Sequence, residues 1–277
     1  LNFGDLGYTI SGGWEQAGRF SDHDEISFKG AKARGQLKYK LSGESSASLE
    51  GGVVDSKCEQ FIYSPDVLFD NGEGYLKANY NYSNLKTQAF WRERSLNYDI
   101  GKSFKFPSFI NLPVGWLTYD TFDIEAQDLF KLGDFGNIMA GLNYRFVTLT
   151  SNYLETKDVN LYAGFLQYEI KPIQSLIFNV GVRLDKQDYM KLNTSPRGAI
   201  IFTPVKNHSF RASISTAFRN PSFIDLYPDA TISFLGTGVT VTGNKDLKPE
   251  RIISYDLGYH TTLFQRLKVT VDLFYYK

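Results

Sequence analysis

Apolar and polar residues alternate one for one along this chain, and the alternation recurs from end to end. Between Ser175 and Asp185 the positions Leu176, Phe178, Val180, Val182 and Leu184 are apolar, while Asn179, Gly181, Arg183 and Asp185 fall between them. Phe210, Ala212, Ile214, Thr216 and Phe218 alternate in the same way with Arg211, Ser213, Ser215, Ala217 and Arg219. So do Ile253, Tyr255, Leu257 and Tyr259 with Ser254, Asp256, Gly258 and His260, and Leu267, Val269, Val271, Leu273 and Tyr275 with Lys268, Thr270 and Asp272. A helix would scatter such a pattern around its circumference, whereas an extended strand sends it to two opposite faces. About thirteen segments of roughly 9 to 15 residues carry it, longer than the usual strand of a water-soluble sheet. One face of each strand is therefore predicted to meet an apolar medium, and strands of this length point to a membrane crossing.

The connections between these segments alternate between short and long. Short turns are expected near 42–45, 83–84, 132–134, 171–174, 204–207 and 264–265, and long ones near 14–30, 56–71, 99–115, 151–158, 187–195 and 220–249. Antiparallel up-and-down strands place every second connection at the same end. In bacterial outer-membrane barrels the short turns face the periplasm and the long loops the exterior. Tyr80, Tyr82, Trp91, Trp116, Tyr119, Tyr144, Phe146, Tyr259 and Tyr275 lie near segment ends, where interfacial aromatic girdles fall. The expected fold class is all-β: an antiparallel up-and-down meander forming part of a transmembrane β-barrel, as one domain over 1–277. Its two end strands, near 6–13 and 267–277, are expected to expose free backbone edges.

Composition closes off other classes. Lys+Arg and Asp+Glu number 30 each, so no net field calls for nucleic acid, and electrostatics by itself names no ligand. The single cysteine, Cys58, excludes a disulfide framework or multi-cysteine zinc site, and it falls in a stretch that reads as a loop. No run reaches the ~20 apolar residues of a membrane helix, which leaves barrel strands open because their hydropathy averages out. The chain opens at Leu1 without a basic n-region or an apolar h-region, so any signal peptide is expected to have been removed or to lie outside this fragment. Only three histidines occur, His23, His208 and His260, and no G-x-S-x-G elbow is present. No catalytic residue, cofactor or resident metal is assigned, and the chain is not expected to be an enzyme. Asp22-His23-Asp24-Glu25 has the residue types of a hard-cation site, but a solvated acidic loop is the commoner outcome. A passive outer-membrane porin or adhesin barrel shares the strands and loops. A β-rich polysaccharide-acting enzyme or outer-membrane hydrolase is the more distant alternative.

Five motifs in order narrow the choice. Thr216-Ala-Phe-Arg-Asn-Pro-Ser-Phe223 with Leu226-Tyr227 resembles the alanine-phenylalanine-arginine-x-proline segment of TonB-dependent receptors. Gly243-Asn-Lys-Asp-Leu-Lys-Pro-Glu250, followed by Ser254-Tyr-Asp-Leu-Gly-Tyr259 and Leu273-Phe-Tyr275, is similar to that family's asparagine-x-x-leucine-x-proline-glutamate segment and the strand pair after it. Val180-Gly-Val-Arg-Leu-Asp185 and Ser195-Pro-Arg-Gly198 resemble the strands before them, and Phe122 to Gln127 and Gly141 to Arg145 match more loosely. The resemblance implies a barrel of about 22 strands with a plugged lumen. About thirteen of those strands would lie here, without the plug domain, the TonB box and the final strands. It further implies a receptor in the bacterial outer membrane that imports a scarce ligand, energised by the TonB complex through the plug. The leading ligand is a ferric siderophore or similar metal chelate, with cobalamin, haem or a glycan behind it.

Within these motifs Arg219 and Glu250 flank the longest connection. Counting by twos from Arg211 and back from Asp256 places both on the lumen face, nearly opposite each other. They are expected to act as a structural pair that pins the connection, with Pro221 and Pro249 stiffening its exits and Asn244 opening the second motif. Phe223, Tyr227 and Phe234 in the connection, and His23 in the first long loop, are the possible ligand-facing residues. Arg183, Arg197 and Arg211 also point to the lumen by parity, and pairing with acids on neighbouring strands or on the absent plug is expected of them rather than the lining of a permeation path.

Overall fold

A computed structural model describes residues 2–3, 5–17, 28–61, 66–99, 115–152, 156–227, 229–234, 237–264 and 266–277. The strands are β1 (Asn2–Phe3), β2 (Leu6–Ala17), β3 (Phe28–Lys40), β4 (Ser45–Phe61), β5 (Asp66–Tyr82), β6 (Leu85–Asp99) and β7 (Gly115–Lys131). After a 3-10 turn at Gly133–Phe135 come β8 (Gly136–Ser151), β9 (Lys157–Ile173), β10 (Leu176–Gln187), β11 (Asn193–Val205) and β12 (His208–Arg219). A helical turn at Phe223–Leu226 and the hairpin β13 (Asp229–Phe234) and β14 (Thr237–Thr242) precede β15 (Glu250–Leu263) and β16 (Leu267–Tyr276). One sheet runs in chain order from β1 to β12 and on through β15 to β16, while β13 and β14 pair only with each other. It is an open antiparallel meander of thirteen long strands, β2 to β12 with β15 and β16, begun by the two-residue β1.

By contact density the chain forms two compact units. The first comprises Leu1–Ile124, Arg145–Asn160 and Phe223–Asp246, and the second Glu125–Tyr144, Leu161–Ser222 and Leu247–Lys277.

In the first unit, register turns the alternation into two faces. Leu49 lies opposite Leu37 and Ala78, and Val53 opposite Ala33 and Gly74, on one side. Ser48, Glu50 and Ser56 lie opposite Lys38, Gln36 and Gly30 on the other. Along β4 the apolar side reads Ala47, Leu49, Gly51, Val53 and then Asp55 and Lys57; along β6 it reads Leu85, Thr87, Ala89, Trp91 and then Glu93. On β3 it ends at Lys29 and on β5 at Asp70, and Lys57 lies directly opposite both. The Lys57 ammonium meets the Asp70 carboxylate at 2.9 Å in that row. Charge thus begins on all four adjacent strands within four residues of that row, at Lys29, Asp55, Asp70 and Glu93. The apolar stretch below it spans about seven to eleven residues per strand, or roughly 18–28 Å of height at ~3.3 Å per residue and a ~40° tilt, which brackets the ~25 Å apolar band of an outer-membrane barrel.

The second unit repeats the arrangement. Its apolar side carries Leu176, Phe178, Val180, Val182 and Leu184 on β10 up to Lys186, and Tyr259, Leu257, Tyr255 and Ile253 on β15 up to Arg251. Val180, Val182, Leu184, Phe210, Ile214, Tyr255 and Leu257 are exposed there, and Leu176, Phe178 and Phe218 are half-exposed. A row of exposed apolar side chains this long fits lipid, since a water-soluble surface breaks it up.

Several connections are shorter than the sequence suggested. The stretch 56–71 is mostly strand, since β4 continues to Phe61 and β5 resumes at Asp66, and β2 runs past Trp14 to Ala17. Beyond the apolar band both faces meet water, so the period-two signal fades while the backbone ladder persists. Cys58 for the same reason sits in β4 rather than in a loop, opposite Phe28 and Phe69. The helical turn at Phe223–Leu226 has no counterpart in the strand pattern either.

Side-chain bonds tie the polar faces across strands. Glu50 accepts from Arg34 Nη2 at 2.6 Å, Gln36 Nε2 at 2.8 Å and the Tyr75 hydroxyl at 2.9 Å, linking β3, β4 and β5. The Tyr75 ring lies over Gly52, where an added Cβ would meet it at 2.6 Å. In the second unit Arg183 donates to Asp185 at 2.9 Å on its own strand, and Arg197 donates to the Gln167 amide. The expected acid on a neighbouring strand is thus replaced for Arg183 by one two residues along, which shares its face, and for Arg197 by a neutral acceptor. Arg211 lies opposite Gly258, whose position also faces the Asp272 carboxylate.

Candidate ligand-facing site

Register places Arg219 directly opposite Glu250. The guanidinium forms a two-pronged pair with the carboxylate, Nε to Oε2 at 2.9 Å and Nη2 to Oε1 at 3.0 Å. Both side chains are well exposed, at 79% and 69%. The pair closes the base of the connection that Pro221 leaves and Pro249 enters, both half-buried. Asn220 adds a second tie, donating to Gln187 and accepting from Asn193 at 3.4 Å. Sequence reasoning missed Gln187 and Asn193; both lie on the lumen-side parity next to the connection, and that parity was the available signal.

The body of the connection belongs to the first unit. Tyr227 N donates to Phe223 O at 2.9 Å within the helical turn, and Asn244 N donates to Asp225 O at 3.0 Å, holding the far end of the connection against it. Asn244 also turns the chain, its side-chain oxygen accepting from Asp246 N at 2.9 Å. Leu226 is buried. On β7 burial alternates, with Leu117, Thr121 and Asp123 covered, and Leu149 of β8 and Val159 of β9 are buried as well. Asp123 accepts from Arg145 at 2.7 Å.

Aromatic and cationic groups gather on this segment. Phe223 lies 6.5 Å from Tyr119 of β7 and 6.2 Å from Tyr227, measured between ring centroids. The Lys157 and Lys245 ammoniums both lie over the Tyr227 ring, at 5.4 Å and 5.7 Å from its centroid. These distances lie within the range in which the face of an aromatic ring attracts a cation. Phe223 and Tyr227 thus come together, and Lys157 and Lys245, not foreseen from sequence, complete the group. Phe234 ends β13, but its side chain lies outside the described residues, as does His23 with the whole 22–25 stretch. Among the described residues no group of three or more metal-ligating side chains occurs.

A two-faced antiparallel meander with an apolar band of hydrocarbon height has the form of a transmembrane β-barrel wall. The family model for TonB dependent receptor-like β-barrels matches residues 3–277, and the chain belongs to that family. No curated protein matches it in sequence. Among solved structures it is similar to the siderophore receptor PirA from Pseudomonas aeruginosa, with a TM-score of 0.74 at 16% identity over 99% of this chain and 49% of that one. A variant of the ferric enterobactin receptor PfeA from Pseudomonas aeruginosa, solved with enterobactin, gives 0.74 at 14% over 99% and 49%. The FrpB iron transporter from Neisseria meningitidis gives 0.72 at 11% over 99% and 50%. At these identities the likeness is one of fold, and the chain spans about half the length of those structures. The family and these neighbours are transport receptors rather than enzymes, and barrels of this family are outer-membrane proteins.

Proposed function

We propose that this chain is part of the barrel wall of an active importer in the bacterial outer membrane, taking up a ferric siderophore or similar metal chelate with energy delivered through TonB. Both compact units are read as parts of one barrel domain. The observation that carries the proposal is the pairing of the apolar band with a polar inner face whose longest connection is folded and pinned. A passive pore needs the band, but it has no need of a 220–249 segment fastened at its base by Arg219 and Glu250 and bearing a lysine and aromatic cluster. The pair positions the segment, and Phe223 and Tyr227 are its ligand-facing rings.

The test uses the complete gene product in an iron-limited host lacking its own siderophore receptors. Uptake of radiolabelled ferric chelates should require both the protein and an energised TonB complex. Uptake that persists undiminished without TonB would make the protein a passive porin.

A further inference from the structure

Two short turns of the second unit lie far from the ligand-facing connection and have chemistry of their own. Register pairs His208 with Thr261, and Thr262 N donates to Asn207 O at 3.1 Å, so the turn from β11 to β12 and the turn from β15 to β16 lie side by side. Arg266 N closes the second turn on Leu263 O at 3.1 Å. Asn207 and Phe264 take positive φ, at 69° and 52°. Asparagine tolerates that conformation, but a bulky side chain rarely adopts it, and such strain gathers at functional positions. Phe264 is 88% exposed there, and Val205 and Leu267 are exposed at the same two turns.

The charge of these turns has one sign. Residues 203–210 and 261–271 contain Lys206, Arg266 and Lys268 and no Asp or Glu. Lys206 and Arg266 stand in the turns themselves and are exposed, while Lys268 lies opposite Thr262 on the polar face. Among the described residues none of the three is bound to a carboxylate. The other short turns of the same unit each carry an acid. Asp134 stands between β7 and β8, and Lys171 at the end of β9 is paired with Glu169 at 3.3 Å.

Depth places the two turns against a membrane surface. Leu257, midway along the apolar side of β15, is six residues from Leu263, roughly 15 Å of height at ~3.4 Å per residue and a ~40° tilt. Leu263 thus reaches the edge of a ~30 Å hydrocarbon layer. Phe264, Arg266 and the neighbouring Lys206 stand just beyond it, at the level of the lipid phosphates.

We propose that these paired turns bind the headgroup of an anionic phospholipid in the periplasmic leaflet. Lys206 and Arg266 hold its phosphate, the guanidinium through two parallel bonds, and Phe264 and Val205 seat among the glycerol and the first acyl carbons. The inference rests on the reading of the chain as barrel wall with its short turns toward the periplasm. An ordinary interfacial ring on a strand face, such as Tyr259, needs neither the two cations nor the absence of acids.

The test refolds the complete gene product into vesicles of equal parts phosphatidylglycerol and phosphatidylcholine, and mass spectrometry of the released protein counts the lipids that stay bound. Phosphatidylglycerol should be retained at least ~5-fold over phosphatidylcholine, the worth of one cation close to an anionic surface. The double variant K206Q/R266Q should reduce that preference to within ~2-fold, whereas K171Q, at a turn where the lysine already holds Glu169, should leave it unchanged. Equal retention of the two lipids, or a preference that survives the double variant, overturns the inference. So does an equal loss in K171Q, which would make the effect one of net charge alone. In cells, photoreactive p-benzoylphenylalanine in place of Phe264 should crosslink to phospholipid, and capture of a periplasmic protein instead would also overturn it. Heat-modifiable migration on gels confirms that each variant is folded. If the unaltered protein fails to insert into vesicles at all, the barrel-wall reading itself fails, and this inference with it.

Discussion

Substituting Leu257 with arginine asks whether the apolar face meets lipid. Leu257 is 58% exposed on the protein surface, at the middle of the apolar side of β15. It lies six positions from the charged Arg251 and six from Leu263, the last residue of the strand. Six residues span about 20 Å along a strand at ~3.4 Å each, and a ~40° tilt reduces this to roughly 15 Å of height. The site therefore falls near the midplane of a ~30 Å hydrocarbon layer. An arginine there costs about 2–4 kcal/mol, roughly a 30- to 700-fold loss in the folding equilibrium at 1.4 kcal/mol per decade. On a water-exposed surface the same change stays within ~0.5 kcal/mol. Thr270, on the polar face of β16 opposite His260 and three residues along β15 from Leu257, bonds His260 at 3.0 Å, and Thr270→Lys should cost only about 1 kcal/mol for that bond. Guanidinium unfolding of the complete protein in lipid vesicles, followed by tryptophan fluorescence, measures both. Should Leu257→Arg prove as harmless as a surface substitution, the apolar face is not in hydrocarbon and the membrane assignment fails.

Other perturbations test the remaining links. Arg219→Ala removes a pair exposed on both sides, so the barrel should lose less than ~1 kcal/mol; limited proteolysis should nevertheless show faster cleavage within 220–249, with reduced uptake. Gly52→Ala drives a methyl into the Tyr75 ring and to within 3.0 Å of Ala33 O, and should cost about 1–3 kcal/mol. Gly35→Ala meets open space and should be neutral or stabilise by up to ~1 kcal/mol in the same unfolding assay. Glu50→Ala strips three donors of their acceptor, the carboxylate being only 13% exposed; a loss of roughly 2–4 kcal/mol is expected, with Tyr75→Phe costing about 1 kcal/mol.

The sequence by itself determined the strands, their faces and the Arg219–Glu250 pairing, because parity is a local property and a hairpin transmits register from one strand to the next. Leu176 to Leu184 and Tyr255 to Leu257 declare their side by spacing alone. Strand ends such as β4 beyond Asp55 were not legible, since above the lipid both faces are wet and only the backbone ladder continues. The fold of 220–249 was decided by tertiary structure alone. Tyr227 meets Lys157 across seventy residues of chain and Phe223 meets Tyr119 across more than a hundred. No periodicity encodes such contacts; they exist because the buried Leu226 turn gains more from packing than from projecting into water.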